Sequence, residues 1–375
     1  FLKYAENRKL REKLFTAYFM KGDNDNERDN KSIIARIARL RLERSKILGY
    51  RTYADFALER SMAKTPERVM NFLGQVWDAA IPAAKAEVKA MQEIINREGG
   101  QFKLAPWDWW YYAEKIKKEK YDLDDEITRP YFRIDNVISG MFYVANRLYN
   151  LTFRVRNDIP KYHQDVVTYE VSRNGRHVGI LMIDNYPRES KRGGAWCGAL
   201  RGQSRDINGK MITPVVTMVT NSTPPGADKP SLLTADEANT LFHEFGHALH
   251  QLLSNSTYPS VSGTSVPRDF VELPSQIMEH WVLEPEVLQV YAKHYQTGEV
   301  IPSEIVDKLE RAGKFNTGFT TVEFLAAALL DMEYHTLTEP TDIDIRQFEK
   351  KAMDKYGLPD EIKPRYRSTY FNHIW

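Results

Sequence analysis

Two histidines and a glutamate lie close together in the segment LFHEFGHALH, residues 241–250. His243 and His247 are four residues apart, so on a helix their imidazoles would share one face, with about 5–6 Å between their Cβ atoms. Two imidazoles at this spacing can bind one metal ion. Glu244 is rotated away from the line that joins them, at a position from which it can reach a water molecule on that ion. The segment therefore predicts a metal site with an adjacent base.

The H-E-x-x-H spacing is typical of zinc peptidases, and such a site needs a third protein ligand. One longer signature requires a glycine at position 250 and a histidine at position 253, but the chain has His250 and Leu253 there. The other known source is a glutamate from a second helix downstream. Glu272 follows His243 by 29 positions and is our candidate. The alternative for Glu272 is an ordinary solvated acid.

The helix that must carry both histidines is marked at its start. Thr234 precedes Glu237 by three residues, which is the spacing of a capping box, and no proline interrupts the run that follows. We expect this helix to span about residues 235–253. Gly246 lies inside it, where glycine costs roughly 1 kcal/mol relative to alanine, and the sequence leaves open whether another segment approaches there. We expect His250 to pack behind the site or to contact the residues that orient the metal-bound imidazoles.

A second helical stretch is expected to begin at Asp269. Glu272, Gln276 and Glu279 recur within it at spacings of four and three residues, so they would share one face. If this helix packs against the first, Glu272 reaches the histidines. Asp269, Gln276 and Glu279 are then candidates for orienting the metal-bound imidazoles through hydrogen bonds.

These residues together predict a hydrolytic zinc site. Two neutral imidazoles and one carboxylate leave a fourth coordination position for water, whose pKa zinc lowers to about 7. Glu244 can take the proton of that water and pass it to the leaving amine. We therefore expect one Zn²⁺ per chain and hydrolysis of peptide bonds. The alternative from another class is a noncatalytic zinc-binding or peptide-binding protein, which would not require a base at position 244.

Helical periodicity dominates the chain except between about 165 and 220. Loops are expected at 21–30 and 97–102. Between about 165 and 220, apolar and polar residues alternate around Asn174-Gly175, the strongest short hairpin signal. TPVVTMVT, 213–220, indicates another strand, so a small sheet precedes the zinc helix. An exposed strand edge could bind a peptide backbone, and the glycines of SKRGGAWCG would permit its close approach. A flexible turn is the alternative for those glycines.

Composition predicts neither a nucleic acid nor a membrane as a partner. The 375 residues include 52 basic and 51 acidic side chains, which gives a net charge of +1. The longest apolar runs, such as FLAAALL at 324–330, are much shorter than the roughly 18 residues that a membrane span requires.

Cys197 is the single cysteine, which excludes an intramolecular disulfide and fits a reducing compartment. We expect a buried or loop role for Cys197 rather than a nucleophilic one.

HEFGHALH followed by SGTSVPRDFVELPSQIMEHW resembles the zinc site of the thimet oligopeptidase family, which consists of gluzincin-type metallopeptidases. The similarity covers essentially the whole chain, because it includes these further segments: APWDWWYYAEKIKKEKYDLD (105–124), RPYFRIDNVISGMFYVANRLYNLTF (129–153), SKRGGAWCG (190–198), AALLDMEYH (327–335) and PRYRSTYFNHIW (364–375).

This resemblance implies a mainly α-helical, α+β fold of the zincin type. Two helical lobes would surround a deep channel, with the small β-sheet beside the active-site helix. We divide the chain into a helical lobe, 1–160, and a catalytic zincin region, 161–375. The second region would contain the sheet, the zinc helix and the C-terminal helices. Family members extend beyond this chain on both sides, with a tyrosine-bearing segment after Trp375, so we expect an internal fragment of a longer enzyme.

The resemblance also implies the activity and the site. The first expectation is the release of C-terminal dipeptides from short peptides, and the alternative is cleavage at internal bonds by an oligopeptidase of the same family. We expect a monomer in the cytoplasm, with the periplasm as the other compartment. Arg268 and Lys191 are candidates for binding a substrate carboxylate. The site residues implied are His243, His247 and Glu272 for zinc, Glu244 for catalysis, and His373, Gly194 and Ala195 for substrate binding.

Overall fold

Helices form about half of the computed structural model, which describes residues 1–121, 124–339 and 342–375. The predicted loops at 21–30 and 97–102 follow the helices Arg8–Phe19 and Pro66–Arg97. The helices are α1 Arg8–Phe19, α2 Lys31–Ile47, α3 Tyr53–Leu58, α4 Pro66–Arg97, α5 Trp109–Tyr121, α6 Asp125–Thr128, α7 Ile134–Tyr149, α8 Ala235–Leu252, α9 Arg268–Val271, α10 Leu273–Glu279, α11 Pro285–Tyr291, α12 Ser303–Ala312, α13 Thr317–His335 and α14 Ile345–Tyr356.

The chain forms two compact units, and the division differs from the expected one at residue 160. One unit combines Phe1–Asp122 with Arg311–Trp375, and the other is Leu123–Glu310. The C-terminal helices join the first unit because α13 packs along α4. Glu87 of α4 accepts hydrogen bonds from the backbone N–H groups of Gly318 (3.0 Å) and Phe319 (2.8 Å) at the start of α13. This pairing joins residues more than 200 positions apart, which no local pattern reveals.

The unit Leu123–Glu310 contains a five-stranded mixed sheet. The strands of this unit are β1 Leu151–Val155, β2 Val167–Arg173, β3 Arg176–Asp184, β4 Trp196–Arg201, β5 Ser204–Arg205, β6 Met211–Ile212 and β7 Val215–Val219. The order in the five-stranded sheet is β1-β2-β3-β7-β4, in which only the β3–β7 pair is parallel. A separate two-stranded sheet pairs β5 with β6.

The predicted hairpin is confirmed, whereas one strand lies outside the expected interval. Asn174 and Gly175 join β2 to β3 and both have positive φ, 51° and 76°, as a two-residue turn of type I′ requires. Strand β1, at 151–155, precedes the interval 165–220. Helix α7 ends at Asn150 in the left-handed conformation, and the chain then pairs with β2. Residues 151–155, LTFRV, do alternate apolar and polar side chains, but they follow the helical pattern of α7 directly and are included in the predicted helical stretch.

Helix α8 confirms the helix predicted for about residues 235–253 and packs on the sheet. The Thr234 hydroxyl accepts from the N–H of Glu237 (3.1 Å), and the Glu237 carboxylate accepts from the N–H of Thr234 (2.7 Å), so the capping box forms. Phe142 of α7 stacks on Phe153 of β1 at 3.9 Å between ring centroids, and Phe245 of α8 packs against both rings. In the described part of the chain, no helix is long and apolar enough to cross a membrane.

Candidate metal centre

Three side chains from two segments converge on one point of the unit Leu123–Glu310. Oε2 of Glu272 lies 3.2 Å from Nε2 of His243 and 3.1 Å from Nε2 of His247. One ligand atom from each of the three residues lies within 4.8 Å of the others. Helix α8 supplies both histidines, and Glu272 stands at the junction of α9 and α10. The structure thus brings the three expected ligands together.

This cluster fits a zinc ion. Two imidazole nitrogens and one carboxylate oxygen are the protein ligands of a catalytic zinc site. Ligand atoms bonded at about 2.0–2.1 Å to one tetrahedral ion are separated by roughly 3.3 Å, close to the separations of Glu272 from the two histidines. The donor types and their spacing therefore match what Zn²⁺ requires.

Glu244 is buried next to this cluster, with an exposed fraction of only 6%. Burial raises the pKa of its carboxyl group to about 7, and the negative charge of Glu272 acts in the same direction, while His243 opposes it. A divalent cation at the cluster would favour the ionised form. Among the residues that the structure describes, Oε2 of Glu244 has no hydrogen-bond partner. Glu244 therefore has an oxygen free to accept a proton from another molecule.

Hydrogen bonds orient the ring of His243. Its Nδ1–H donates to Oε1 of Glu279 (2.6 Å), and the side-chain amide of Asn239 donates to the other Glu279 oxygen (3.1 Å). A carboxylate on Nδ1 fixes the tautomer whose Nε2 lone pair is available to a metal. Glu279 thus lies where an orienting residue is needed. Sequence reasoning missed Asn239, although it lies four residues before His243 and so on the same helix face.

The side chains of Gln276 and Asp269 are exposed, whereas that of Glu279 is partly buried. Ser275 and Met278 form the face of α10 that is buried, and Gln276 is rotated by about 100° from Ser275, which leaves its side chain exposed. Asp269 is exposed on the short helix α9. The backbone N–H of Gln276 donates to the carbonyl oxygen of Glu272 (2.9 Å), and a role of Gln276 or Asp269 in orienting the metal ligands stays a prediction.

His250 packs beside the site without joining it. Its ring contacts Phe270 at 6.2 Å between centroids. Burial lowers the pKa of the imidazole, so the neutral form is favoured. Of the three histidines in the opening segment, two therefore face Glu272 and the third packs a turn further along the helix.

Gly246 allows α10 to approach the zinc helix closely. A Cβ atom at this position would lie 2.5 Å from Cα of Ser275 and 2.6 Å from the backbone oxygen of Pro274. Real atoms do not approach so closely, and both neighbours belong to the backbone. The glycine inside α8 is therefore required by the same contact that places Glu272.

Substituting Gly246 with alanine is expected to lower the free energy of unfolding by roughly 1–3 kcal/mol, the usual cost of overpacking. It should also weaken zinc binding, because α10 must move and carries Glu272 with it. Chemical denaturation and zinc competition measure the two effects. Gly74→Ala is the matched control: Gly74 also lies inside a helix, but nothing is within 4 Å of the added Cβ. An equal change in both variants would contradict the close-approach explanation.

Comparison with known proteins agrees with this geometry. Residues 1–375, the whole chain, match the model of Peptidase family M3. The chain belongs to this family. The match confirms the resemblance found in the zinc-site segments.

Curated relatives of this M3 chain include enzymes with two different names. The chain is 42% identical to the dipeptidyl carboxypeptidase of Escherichia coli (strain K12), over 98% of this chain and 54% of the relative. It is 39% identical to the Salmonella typhimurium (strain LT2) protein of the same name, with the same coverage. It is 38% identical to oligopeptidase A of Escherichia coli (strain K12), over 90% of this chain and 50% of the relative. The chain spans about half the length of the relatives that it matches.

Strand β4 places the predicted peptide-binding segment of this M3 chain next to α8. β4 lies at the edge of the five-stranded sheet and pairs only with β7 among the described strands. Gly194 and Ala195 directly precede it. Gly194 has a φ of 89°, and its carbonyl accepts a hydrogen bond from the Asn221 side chain (2.7 Å). Asn221, which sequence reasoning missed, therefore holds the glycine loop in position.

Cys197 of β4 faces α8, where the side-chain amide of Gln251 approaches its sulfur at 3.5 Å. Burial raises the pKa of the thiol to about 12, and the negative charge of Glu244 acts in the same direction. Cys197 therefore stays protonated near neutral pH, which agrees with the expected non-nucleophilic role.

Lys191 is not free to bind a substrate carboxylate, so this candidate was wrong. Its ammonium group donates to Oδ1 and to the backbone oxygen of Asp184 (both 2.9 Å) and to the backbone oxygen of Tyr186 (2.8 Å). These three bonds use all three ammonium protons. The Asp184 side chain is itself almost completely buried, and no sequence pattern reveals that partner.

His373, the remaining predicted substrate-binding residue, belongs to the unit that contains Arg311–Trp375. Its exposed ring packs against Tyr366, at 4.7 Å between centroids, and Phe371, at 6.0 Å. These aromatic contacts fix the position of the imidazole, and its role in substrate binding stays a prediction.

Proposed function

We propose that this chain forms the zinc-binding region of a peptidase that releases dipeptides from the C-termini of short peptides. The observation that carries the proposal is the convergence of His243, His247 and Glu272 beside the buried carboxylate of Glu244. The names of the two dipeptidyl carboxypeptidases that are similar to this chain support the choice of reaction.

One Zn²⁺ would be held by Nε2 of both histidines and by the Glu272 carboxylate. When bound there, zinc lowers the pKa of a coordinated water and polarises the carbonyl group of the scissile bond. Glu244 accepts the proton that water loses as its oxygen forms the new bond to the carbonyl carbon. Glu244 then delivers this proton to the amide nitrogen as the C–N bond breaks. The products are a carboxylic acid and an amine.

The edge of β4 would bind the peptide backbone. An edge strand offers unpaired N–H and C=O groups, so an extended peptide can add as a further strand regardless of its side chains. Gly194 and Ala195, at the start of this edge, would contact the substrate near the metal. We further propose that His373 binds substrate, as the resemblance to the family implies.

Two alternatives remain distinct from this proposal. Oligopeptidase A is also similar to the chain, which favours cleavage at internal bonds as the second candidate activity. A noncatalytic zinc-binding protein is less well supported, because burying the Glu244 carboxylate costs free energy and zinc binding through the other three residues does not need it.

Amidating the C-terminus of a peptide substrate is expected to slow its cleavage by the full-length protein by at least about tenfold. Loss of one charge-assisted hydrogen bond costs about 1.5–3 kcal/mol, and 1.4 kcal/mol corresponds to a factor of ten in rate. Mass spectrometry of the products over time should show dipeptides released stepwise from the free carboxyl end. Cleavage at internal bonds at equal rates for the acid and the amide would assign the protein to the oligopeptidase activity instead.

A further inference from the structure

Ser275 is a fully buried side chain directly behind the metal centre. Its exposed fraction is 0%, and its Oγ lies 2.9 Å from Oε2 of Glu272 and 2.9 Å from the backbone oxygen of the same residue. Within the described residues, both hydrogen-bond contacts of this hydroxyl therefore go to Glu272. A hydroxyl has one proton to donate, so the two acceptors compete for it.

The carboxylate oxygen that Ser275 contacts is the one that faces the histidines. Oε2 of Glu272 is within 3.2 Å of Nε2 of both His243 and His247. The Glu272 side chain is about half exposed, at 52%, and a long exposed side chain loses much rotamer freedom when it is fixed in one place. A buried donor on one of its two oxygens restricts the carboxylate to the orientation that a metal ion needs.

The position of Ser275 is itself fixed relative to the histidines. Its Cα is the atom that would lie closest to a Cβ at Gly246, and Gly246 stands between His243 and His247 in α8. The backbone of Ser275 thus rests against the helix segment that supplies two of the three ligands. A hydroxyl in this position can align the third ligand with the other two.

We propose that Ser275 is a positioning residue of the metal centre: its hydroxyl holds Oε2 of Glu272 toward the two imidazoles and so raises the affinity for zinc. This inference rests on the zinc site proposed above. The competing explanation is that the hydroxyl only bonds the backbone oxygen three residues earlier, as serines in helices often do. In that case Ser275 contributes to folding and not to metal binding.

A double-mutant cycle on zinc affinity separates the two explanations. In the full-length protein, Ser275→Ala is expected to weaken zinc binding by about 10–100-fold, the usual effect of losing a residue that hydrogen-bonds a metal ligand. In the Glu272→Ala background the same substitution should leave the residual zinc affinity unchanged, because no carboxylate remains to be held. The backbone oxygen is present in both backgrounds. An equal loss of affinity in both, or no loss in either, overturns the proposal.

A spectroscopic measurement keeps the test decisive if Glu272→Ala binds zinc too weakly to measure. The visible absorption of the cobalt-substituted protein reports the arrangement of ligands around the ion, so Ser275→Ala should change it at full cobalt occupancy. An unchanged spectrum overturns the proposal. Unfolding of the metal-free protein shows whether the variant is folded.

Ser262→Ala is the matched control. Ser262 is also buried, at 7%, but its hydroxyl bonds Ser254 and Gln203 rather than a metal ligand. Its substitution should leave zinc affinity and the cobalt spectrum unchanged. If the wild-type protein bound no zinc, the proposed function would fail. If the wild type bound zinc and Glu272→Ala abolished that binding while Ser275→Ala changed neither readout, only the inference about Ser275 would fail.

Discussion

Replacing Glu244 with glutamine is expected to slow peptide hydrolysis by roughly 10²–10⁴-fold, the range that general acid–base catalysis contributes. Zinc should remain bound in this variant. The amide has nearly the same size as the carboxylate but cannot accept the proton from water. Glu244 is not one of the three residues whose ligand atoms converge. Turnover should be measured at matched zinc content, together with the zinc stoichiometry of each protein.

The fold should tolerate this substitution. The Glu244 carboxyl group is buried, and its raised pKa shows that burial disfavours the charged form, so a neutral amide costs less to bury. Asp236→Asn is the matched control, because it makes the same chemical change at an exposed residue of α8 and should leave turnover unchanged. Full activity of Glu244→Gln would assign the base to another residue.

Replacing Glu272 with alanine is expected to weaken zinc binding by more than about 100-fold, because a direct ligand is removed. Loss of a residue that only hydrogen-bonds a metal ligand costs up to roughly 100-fold. Hydrolysis should fall with zinc occupancy. Competition against a chelator of known affinity gives the zinc dissociation constant, and elemental analysis gives the stoichiometry. The histidines that remain come from a single helix, so zinc would be held from one side only.

Glu284→Ala provides the comparison for Glu272. Glu284 is an exposed glutamate that precedes α11, and its side chain makes no capping hydrogen bond there. We expect its substitution to leave zinc affinity and turnover unchanged. Unchanged zinc affinity and stoichiometry in Glu272→Ala would remove Glu272 from the metal site and leave the third ligand unassigned.

The sequence by itself determined the local parts of the site. The four-residue spacing of His243 and His247 places both rings on one face of any helix. The helix begins where the capping box Thr234–Glu237 marks it, because both hydrogen bonds join residues three positions apart. The turn at Asn174-Gly175 is equally local, since positive φ at two consecutive residues depends mainly on their own side chains. These features depend on neighbouring residues in the chain, so the local amino-acid sequence is sufficient to predict them.

The sequence named Glu272 as a candidate ligand, but the tertiary structure decided whether it and other residues far apart in the chain meet. Glu272 reaches the histidines because Gly246 lets the backbone of α10 rest on α8, and the same contact places Ser275 behind the carboxylate. The packing of α13 on α4 joins segments more than 200 residues apart whose sequences show no sign of each other. The burial of Lys191 against Asp184 is a closer contact that the spacing of the two residues does not indicate. Such contacts depend on the shapes of both partners and on the exclusion of water between them, which is a property of the packed chain rather than of either segment.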